Sequence, residues 1–225
     1  MKIIGHRGAA GLATENTLEA IRTAIKLKVD AVEFDVWTTK DGVPILLHDS
    51  SLVRMTGEKA QVFDLTLEQI QSFRTHDGQK IPTAEEAIEA AGKTAIILEI
   101  KDQYLGDSIV DLLTKYQGRD ISVTSFNHKI LAELQEKLPG LRLFAASHFN
   151  QLAAIHFAKV HKFHGVNLNW RTFTVPAYIY ARLNGLEILL FSVDRPAYAR
   201  LLKKMNWRVN FISNYPDKII PVIRG

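Results

Sequence analysis

Short apolar runs alternate along the chain with longer stretches in which apolar residues return every three or four positions. The short runs read as strands: KIIGH (2–6), AVEFDVW (31–37), VPILLH (43–48), TAIILEIK (94–101), ISVTSF (121–126), LRLFAA (141–146), GVNLN (165–169), LEILLFSV (186–193) and NFISN (210–214). The longer stretches read as amphipathic helices. The first is ENTLEAIRTAIKLK (15–28), with Leu18, Ile21, Ala24 and Ile25 on one face, and further ones follow at 83–91, 106–117, 128–138, 151–163, 176–185 and 196–205. Between VEFDVWTT and VPILLHD stand only Lys40, Asp41 and Gly42, too few for a parallel crossover, so this pair predicts an antiparallel hairpin. With VPILLH assigned to that hairpin, eight strands remain, each followed by a helix or by the chain end. That alternation predicts an α/β fold, a parallel (β/α)8 TIM barrel, rather than a doubly wound sheet. Residues 50–82 break the rhythm, holding one weak helix near LTLEQIQSF and turn signals at Thr56-Gly57 and Asp77-Gly78. They read as an insertion after the second barrel strand, folding over one rim of a single domain that spans 1–225.

Composition narrows the chemistry. Among 225 residues, 47% are apolar and 23% charged, as in an ordinary globular protein, and no apolar run approaches a membrane span. The net charge of +4 is spread along the chain, without a basic arm or a stripe of interleaved aromatics, so no nucleic-acid partner and no stable membrane insertion are expected. The absence of cysteine excludes a disulfide framework, a thiolate nucleophile and a cysteine zinc site. The N-terminus enters the first strand without a signal-like apolar segment, which predicts a cytoplasmic protein. Oligomeric state is not legible.

In such barrels the functional groups gather at the C-terminal strand ends. His6 and Arg7 end the first strand. Glu33 and Asp35 are two apart in the second and so share a face, as do Glu99 and Lys101 in TAIILEIK. With Asp41-Gly42 as a two-residue turn, Lys40 pairs with Val43, and the register sets Asp35 opposite His48. Two like charges side by side among Val32, Phe34 and Val36 are costly to bury, and a cation removes that cost. Oxygen ligands from Glu33, Asp35 and Glu99 suit Mg2+ or Ca2+ better than zinc. A divalent cation with Arg7 and Lys101 can clamp a phosphate, and His6 and His48 can divide general base and general acid between them. Phosphodiester cleavage without a serine or cysteine nucleophile is the chemistry this set points to.

The same stretches resemble the glycerophosphodiester phosphodiesterase family. The likeness rests on GHRGAAGLATENTLEAI (5–21), VEFDVWTTKDGVPILLHDSSLVRMTG (32–57), IPTAEEAI (81–88) and ILEIK (97–101), and continues through VTSFN (123–127), GLEILLFSVDRP (185–196) and NFISNYPD (210–217). The resemblance implies that His6 and His48 are the acid–base pair, that Glu33, Asp35 and Glu99 bind the metal, and that Arg7 and Lys101 surround the phosphate. It implies a small-molecule substrate, cleaved with the help of Mg2+ or Ca2+ to sn-glycerol 3-phosphate and a free alcohol. The glycerol hydroxyl beside the phosphate would serve as an internal nucleophile, and residues 50–82 would be the family's insertion. Two stretches depart from the family pattern. W-T-V-N near the penultimate strand is here Phe191 to Asp194, and I-x-T-D-x-P in the closing strand is here Ile212 to Pro216. These departures are expected on the substrate-facing rim, where they bear on the alcohol accepted and leave the metal and histidine set untouched.

Other groups read as structural. His148, His156, His161 and His164 have no metal-ligand spacing and are expected as solvent-exposed helix residues. Ser125 lacks a nucleophile motif. Asn16 and Asp49 are expected to orient their neighbours, and Phe149, Trp170 and Phe173 to pack in the core or at the rim. The alternative enzyme is a lysophospholipase D or phospholipase C relative acting on lipid-linked diesters. A retaining glycosidase has no need of the histidines with Arg and Lys, and a pure phosphate-ester binder has no use for proton transfer.

Overall fold

The computed structural model describes residues 1–225. Nine strands form one sheet: β1 (Ile3–Gly5), β2 (Ala31–Thr38), β3 (Pro44–Leu46), β4 (Ala95–Ile100), β5 (Ile121–Ser125), β6 (Arg142–Ser147), β7 (Gly165–Asn169), β8 (Glu187–Phe191) and β9 (Asn210–Ser213). Their order is β1-β9-β8-β7-β6-β5-β4-β2-β3, and a further β1–β2 pairing closes eight parallel strands into the expected barrel. Only β3 runs antiparallel, on the outer side of β2.

Helices wrap the outside. α1 (Leu18–Lys26) starts at Thr17, whose side chain accepts from the Ala20 amide. α2 (Val53–Thr56), a 3-10 turn at Val62–Asp64 and α3 (Leu67–Ser72) lie in the insertion. α4 (Ala84–Ala91) opens with a full capping box between Thr83 and Glu86. α5 (Asp107–Lys115), α6 (His128–Lys137), α7 (Gln151–Val160), α8 (Val175–Leu183), α9 (Pro196–Lys204) and α10 (Pro216–Arg224) complete the ring. Their apolar faces and the outward faces of the strands form the main core of 44 buried residues. The insertion carries its own small cluster, in which Leu52, Met55, Val62 and Ile70 pack under Ile45 and Leu47 of the hairpin. No helix is long and apolar enough to cross a membrane.

The barrel interior has a vertical gradient that follows from strand alternation. A bottom layer of Ile4, Ala31, Ile97, Phe144, Leu189 and Ile212 plugs the N-terminal end. Stepping two residues up each strand gives His6, Glu33 then Asp35, Glu99 then Lys101, Ala146 then His148, Phe191, and Asn214. Each of these rows begins apolar, and all but the one that rises to Phe191 end in a polar or titratable side chain.

The hairpin differs from expectation by one residue. Thr38 pairs with Pro44 and Val36 with Leu46, so Asp35 faces Leu47 rather than His48. The Thr39 amide bonds to the Val43 carbonyl across a three-residue loop, Lys40-Asp41-Gly42, that ends with Gly42 at φ +82°. A left-handed third loop residue is the bulged form of hairpin, and it replaces the two-residue turn. His48 reaches the barrel mouth because the ladder stops at Leu46 and the chain turns inward. Strand alternation plays no part there.

Candidate active site

The HRG turn places the first groups. Arg7 and Gly8 both adopt left-handed backbone, at φ 49° and 83°, which carries the chain sharply off β1. A Cβ on Gly8 would stand 2.5 Å from the Ala20 backbone carbon. Gly8→Ala is therefore expected to destabilise the fold by roughly 1–3 kcal/mol, read as a lower midpoint in urea unfolding at unchanged m-value. The turn is held to β2: the Arg7 amide donates to Glu33 Oε2 at 2.8 Å and the Gly8 amide to the Glu33 carbonyl at 2.9 Å.

Glu33, Asp35 and Glu99 then meet. β2 and β4 pair with Asp35 level with Glu99, and one carboxylate oxygen from each of the three lies within 4.8 Å of the others. All three residues are at least 94% buried, at 1%, 1% and 6% exposure. No other group of three potential ligands in the chain comes as close together. Burial, with the charge of Asp35 added, pushes the Glu33 carboxyl up to about 8 and that of Glu99 up to about 7. Burial opposes the Asp35 charge too, but Lys101 and Arg7 outweigh it and hold that carboxyl below its ordinary range. Lys101 Nζ lies 3.0 Å from Asp35 Oδ1 and also pairs with Glu99; Arg7 Nε lies 3.1 Å from Asp35 Oδ2. Asn16, buried and left-handed at φ 56°, brackets Asp35 by donating to Oδ2 at 2.8 Å and accepting from its amide at 3.1 Å. Glu33 Oε1 has no hydrogen-bond partner. A buried carboxylate oxygen left bare among two more carboxylates is a donor set that could hold a metal ion, and its all-oxygen chemistry fits a hard divalent cation.

Two histidines line the same mouth. His6 Nδ1 lies 2.7 Å from Asn214 Oδ1, and its Nε2 lies 3.9 Å from Glu33 Oε2. His48 Nδ1 contacts Asp49 Oδ1 at 2.6 Å, and its carbonyl accepts from the Trp37 indole at 3.0 Å, which anchors the chain where it leaves the hairpin. Burial lowers both imidazole pKa values, with the Arg7 charge adding to the effect, so both rings are neutral near pH 7.

Several site groups escaped the sequence reading. Glu15 accepts from Arg7 Nη1 at 2.9 Å and from Arg54 Nη2 at 2.7 Å, while Arg54 Nε donates to Asp49 at 2.5 Å. The insertion is thereby tied to both histidine-bearing segments. Asn214 touches His6 directly and Asp194 holds Asn214, so these departures reach the histidine set and are not confined to the outer rim. His148 is not a helix residue: it follows β6, stacks on Phe126 at 4.4 Å between centroids, and meets Phe191 edge-on. His164 precedes β7, whereas His156 lies on α7. The Ser125 hydroxyl is engaged by the Ile100 carbonyl at 2.8 Å. Trp170 flanks the cavity between the guanidinium groups of Arg171 and Arg195, Phe173 packs on Trp207, and Phe149 is 81% exposed.

These groups enclose a cavity of about 450 Å³ at the C-terminal mouth, reached by His6, Arg7, His48, Glu99 and Lys101. A larger open groove on the barrel flank, about 980 Å³, contains none of them.

A TIM barrel with carboxylates, two histidines, an arginine and a lysine converging on its C-terminal mouth has the layout of a barrel enzyme that handles an anionic substrate. Residues 6–218 match the sequence model of the glycerophosphoryl diester phosphodiesterase family, and the chain belongs to that family. The glycerophosphodiester phosphodiesterase of Caldanaerobacter subterraneus subsp. tengcongensis is 25% identical, with 99% of this chain and 97% of the relative aligned. That of Bacillus subtilis is 29% identical over 99% of this chain and 86% of the relative. The fold matches a phosphodiesterase of Oleispira antarctica, solved with the product sn-glycerol-3-phosphate, at a TM-score of 0.90 and 24% identity over 100% and 97% of the two chains. It matches a glycerophosphodiester phosphodiesterase of Thermotoga maritima at a TM-score of 0.83 and 23% identity over 99% and 98%.

Proposed function

We propose that the chain is a single-domain, metal-dependent glycerophosphodiester phosphodiesterase that releases sn-glycerol 3-phosphate and a free alcohol. The observation that carries this reading is the buried carboxylate trio with a bare Glu33 oxygen, at a mouth lined by His6 and His48. Glu33, Asp35 and Glu99 would hold Mg2+ or Ca2+. When bound, the cation neutralises phosphate charge and polarises a phosphoryl oxygen. Arg7 and Lys101 donate to the phosphate oxygens and orient the diester, while the barrel wall excludes water behind it. One imidazole takes the proton of the attacking hydroxyl, either water or the adjacent glycerol hydroxyl, as its oxygen bonds to phosphorus. The bond from phosphorus to the alcohol oxygen breaks, and the other histidine, loaded beforehand with a proton from solvent as the imidazolium, delivers it to that oxygen. Where the glycerol hydroxyl attacks, water then opens the cyclic phosphate with the two histidine roles exchanged, giving sn-glycerol 3-phosphate. A cavity lined largely by polar and charged groups suits a small polar diester. Phe126, Trp170 and Phe191 in its lining, with the exposed Phe149 beside His148, are what favours a lipid-linked substrate.

The test is release of sn-glycerol 3-phosphate from glycerophosphocholine and glycerophosphoethanolamine, with EDTA and with Mg2+ or Ca2+ restored. Turnover that stops with chelation and returns with one cation supports the reading. Turnover of lysophospholipids alone transfers it to the lipid-linked class, and EDTA-insensitive turnover removes the metal from it.

The raised carboxyls also set a pH dependence. Glu33 and Glu99 bind their protons more tightly folded than unfolded, so they stabilise the fold below about pH 4.5 and lose that contribution as pH rises toward about 7 and 8. In chelator, the melting temperature is expected to fall between pH 5 and 8. A cation binds only the ionised forms, so the upward shift produced by Mg2+ should grow across the same window. Thermal scans with and without EDTA check this; a cation shift independent of pH would contradict it.

A further inference from the structure

Asn214 joins β9 to α10, and Asp194 lies beyond β8. Asp194 Oδ1 accepts from the Asn214 amide at 2.8 Å and the Ser213 hydroxyl at 2.9 Å, and Oδ2 accepts from Asn214 Nδ2 at 2.7 Å. A carboxylate can only accept, so the NH2 group of Asn214 must turn toward Asp194. That leaves Asn214 Oδ1 facing His6 Nδ1 at 2.7 Å. An amide oxygen cannot donate either. His6 must therefore carry its proton on Nδ1, which leaves the Nε2 lone pair 3.9 Å from Glu33 and open to the cavity.

We infer that Asp194 and Asn214 are positioning residues that act as a two-step relay: the Asp194 carboxylate orients the Asn214 amide, and the amide selects the Nδ1–H tautomer of His6. The inference rests on the proposed role of His6 in proton transfer. Two amides at these positions would not fix the direction of the relay. With Asp194→Asn, the Asn214 side chain is free to flip, present NH2 to His6 Nδ1 and move the ring proton to Nε2.

The test combines kinetics with 15N NMR of the imidazole rings, recorded on metal-free and Mg2+-loaded protein. Wild-type His6 should show the Nδ1–H tautomer. Asp194→Asn should mix in the Nε2–H tautomer and lower kcat about 10–100-fold, the range typical of lost outer hydrogen bonds, with KM changed less than about threefold. The double exchange, Asp194→Asn with Asn214→Asp, should restore the tautomer and most of kcat, because every hydrogen bond of the relay can be remade. A single variant with wild-type tautomer and kcat overturns the relay, and so does a double exchange no better than the single. If the tautomers behave as described while the wild type cleaves no glycerophosphodiester, the relay stands and the proposed activity fails.

Discussion

His6→Ala and His48→Ala are each expected to lower kcat about 100- to 10,000-fold, the usual range for loss of a positioned general acid or base, with far smaller changes in KM. Both rings line the mouth that Glu99, Arg7 and Lys101 also reach. Each has its Nδ1 against an oxygen acceptor, Asn214 for His6 and Asp49 for His48, so each keeps Nε2 as its free nitrogen. Burial and the nearby Arg7 charge favour the neutral form of both rings, the form needed for one to accept a proton, while the other must first take up a proton to serve as the acid. Neither ring is a ligand in the proposed cation set, so Mg2+ binding measured by calorimetry should persist in both variants. His6→Ala leaves the Asn214 oxygen without its partner, a loss of about 1 kcal/mol in stability; His6→Gln separates that effect from proton transfer. A variant retaining more than a tenth of wild-type kcat would remove that histidine from the mechanism.

Strand alternation made the carboxylates legible. Glu33 and Asp35, and Glu99 and Lys101, are two apart in unmistakable strands, and β2–β4 pairing sets Asp35 beside Glu99 as a neighbouring-strand argument requires. The same alternation run upward from Ile212 and Phe144 reaches Asn214 and His148, and here the signal was present but unused, because both lie just past the ends of their strands. The hairpin register went astray for a physical reason. Lys-Asp-Gly is compatible with a two-residue or a three-residue loop, and only the left-handed Gly42 at the bulge decides between them. One residue of slip exchanges the faces of a strand, yet His48 still reaches the site, since the chain leaves the ladder before it. Arg54 had no readable signal. Its contacts with Glu15 and Asp49 depend on how the insertion folds back, a long-range matter that local pattern does not encode.

Glu33→Gln should separate stability from activity. The glutamate and glutamine side chains have nearly the same shape, and the amide oxygen can still accept from the Arg7 amide as Glu33 Oε2 does at 2.8 Å. What changes is charge. At neutral pH without a cation, the wild-type site either buries a third carboxylate beside Asp35 and Glu99 or holds a proton on Glu33, whose carboxyl is pushed up to about 8. Gln removes that conflict, and metal-free protein should become more stable by on the order of 1–4 kcal/mol, the linkage cost at neutral pH of a carboxyl pushed up to about 8. The fall in stability from pH 5 to 8 should flatten in the same variant, since one of its two titrating groups is gone. Cation binding should weaken at least tenfold, because a charged ligand has become a neutral one, and turnover at fixed Mg2+ should fall at least a hundredfold. On the proposed reading, cation binding offsets a less stable empty site in the wild type, so the order of melting temperatures should invert: variant above wild type in EDTA, wild type above variant in excess Mg2+. A Glu33→Gln protein that melts below wild type in EDTA, or that keeps its cation affinity, would place the binding energy elsewhere than in these three carboxylates.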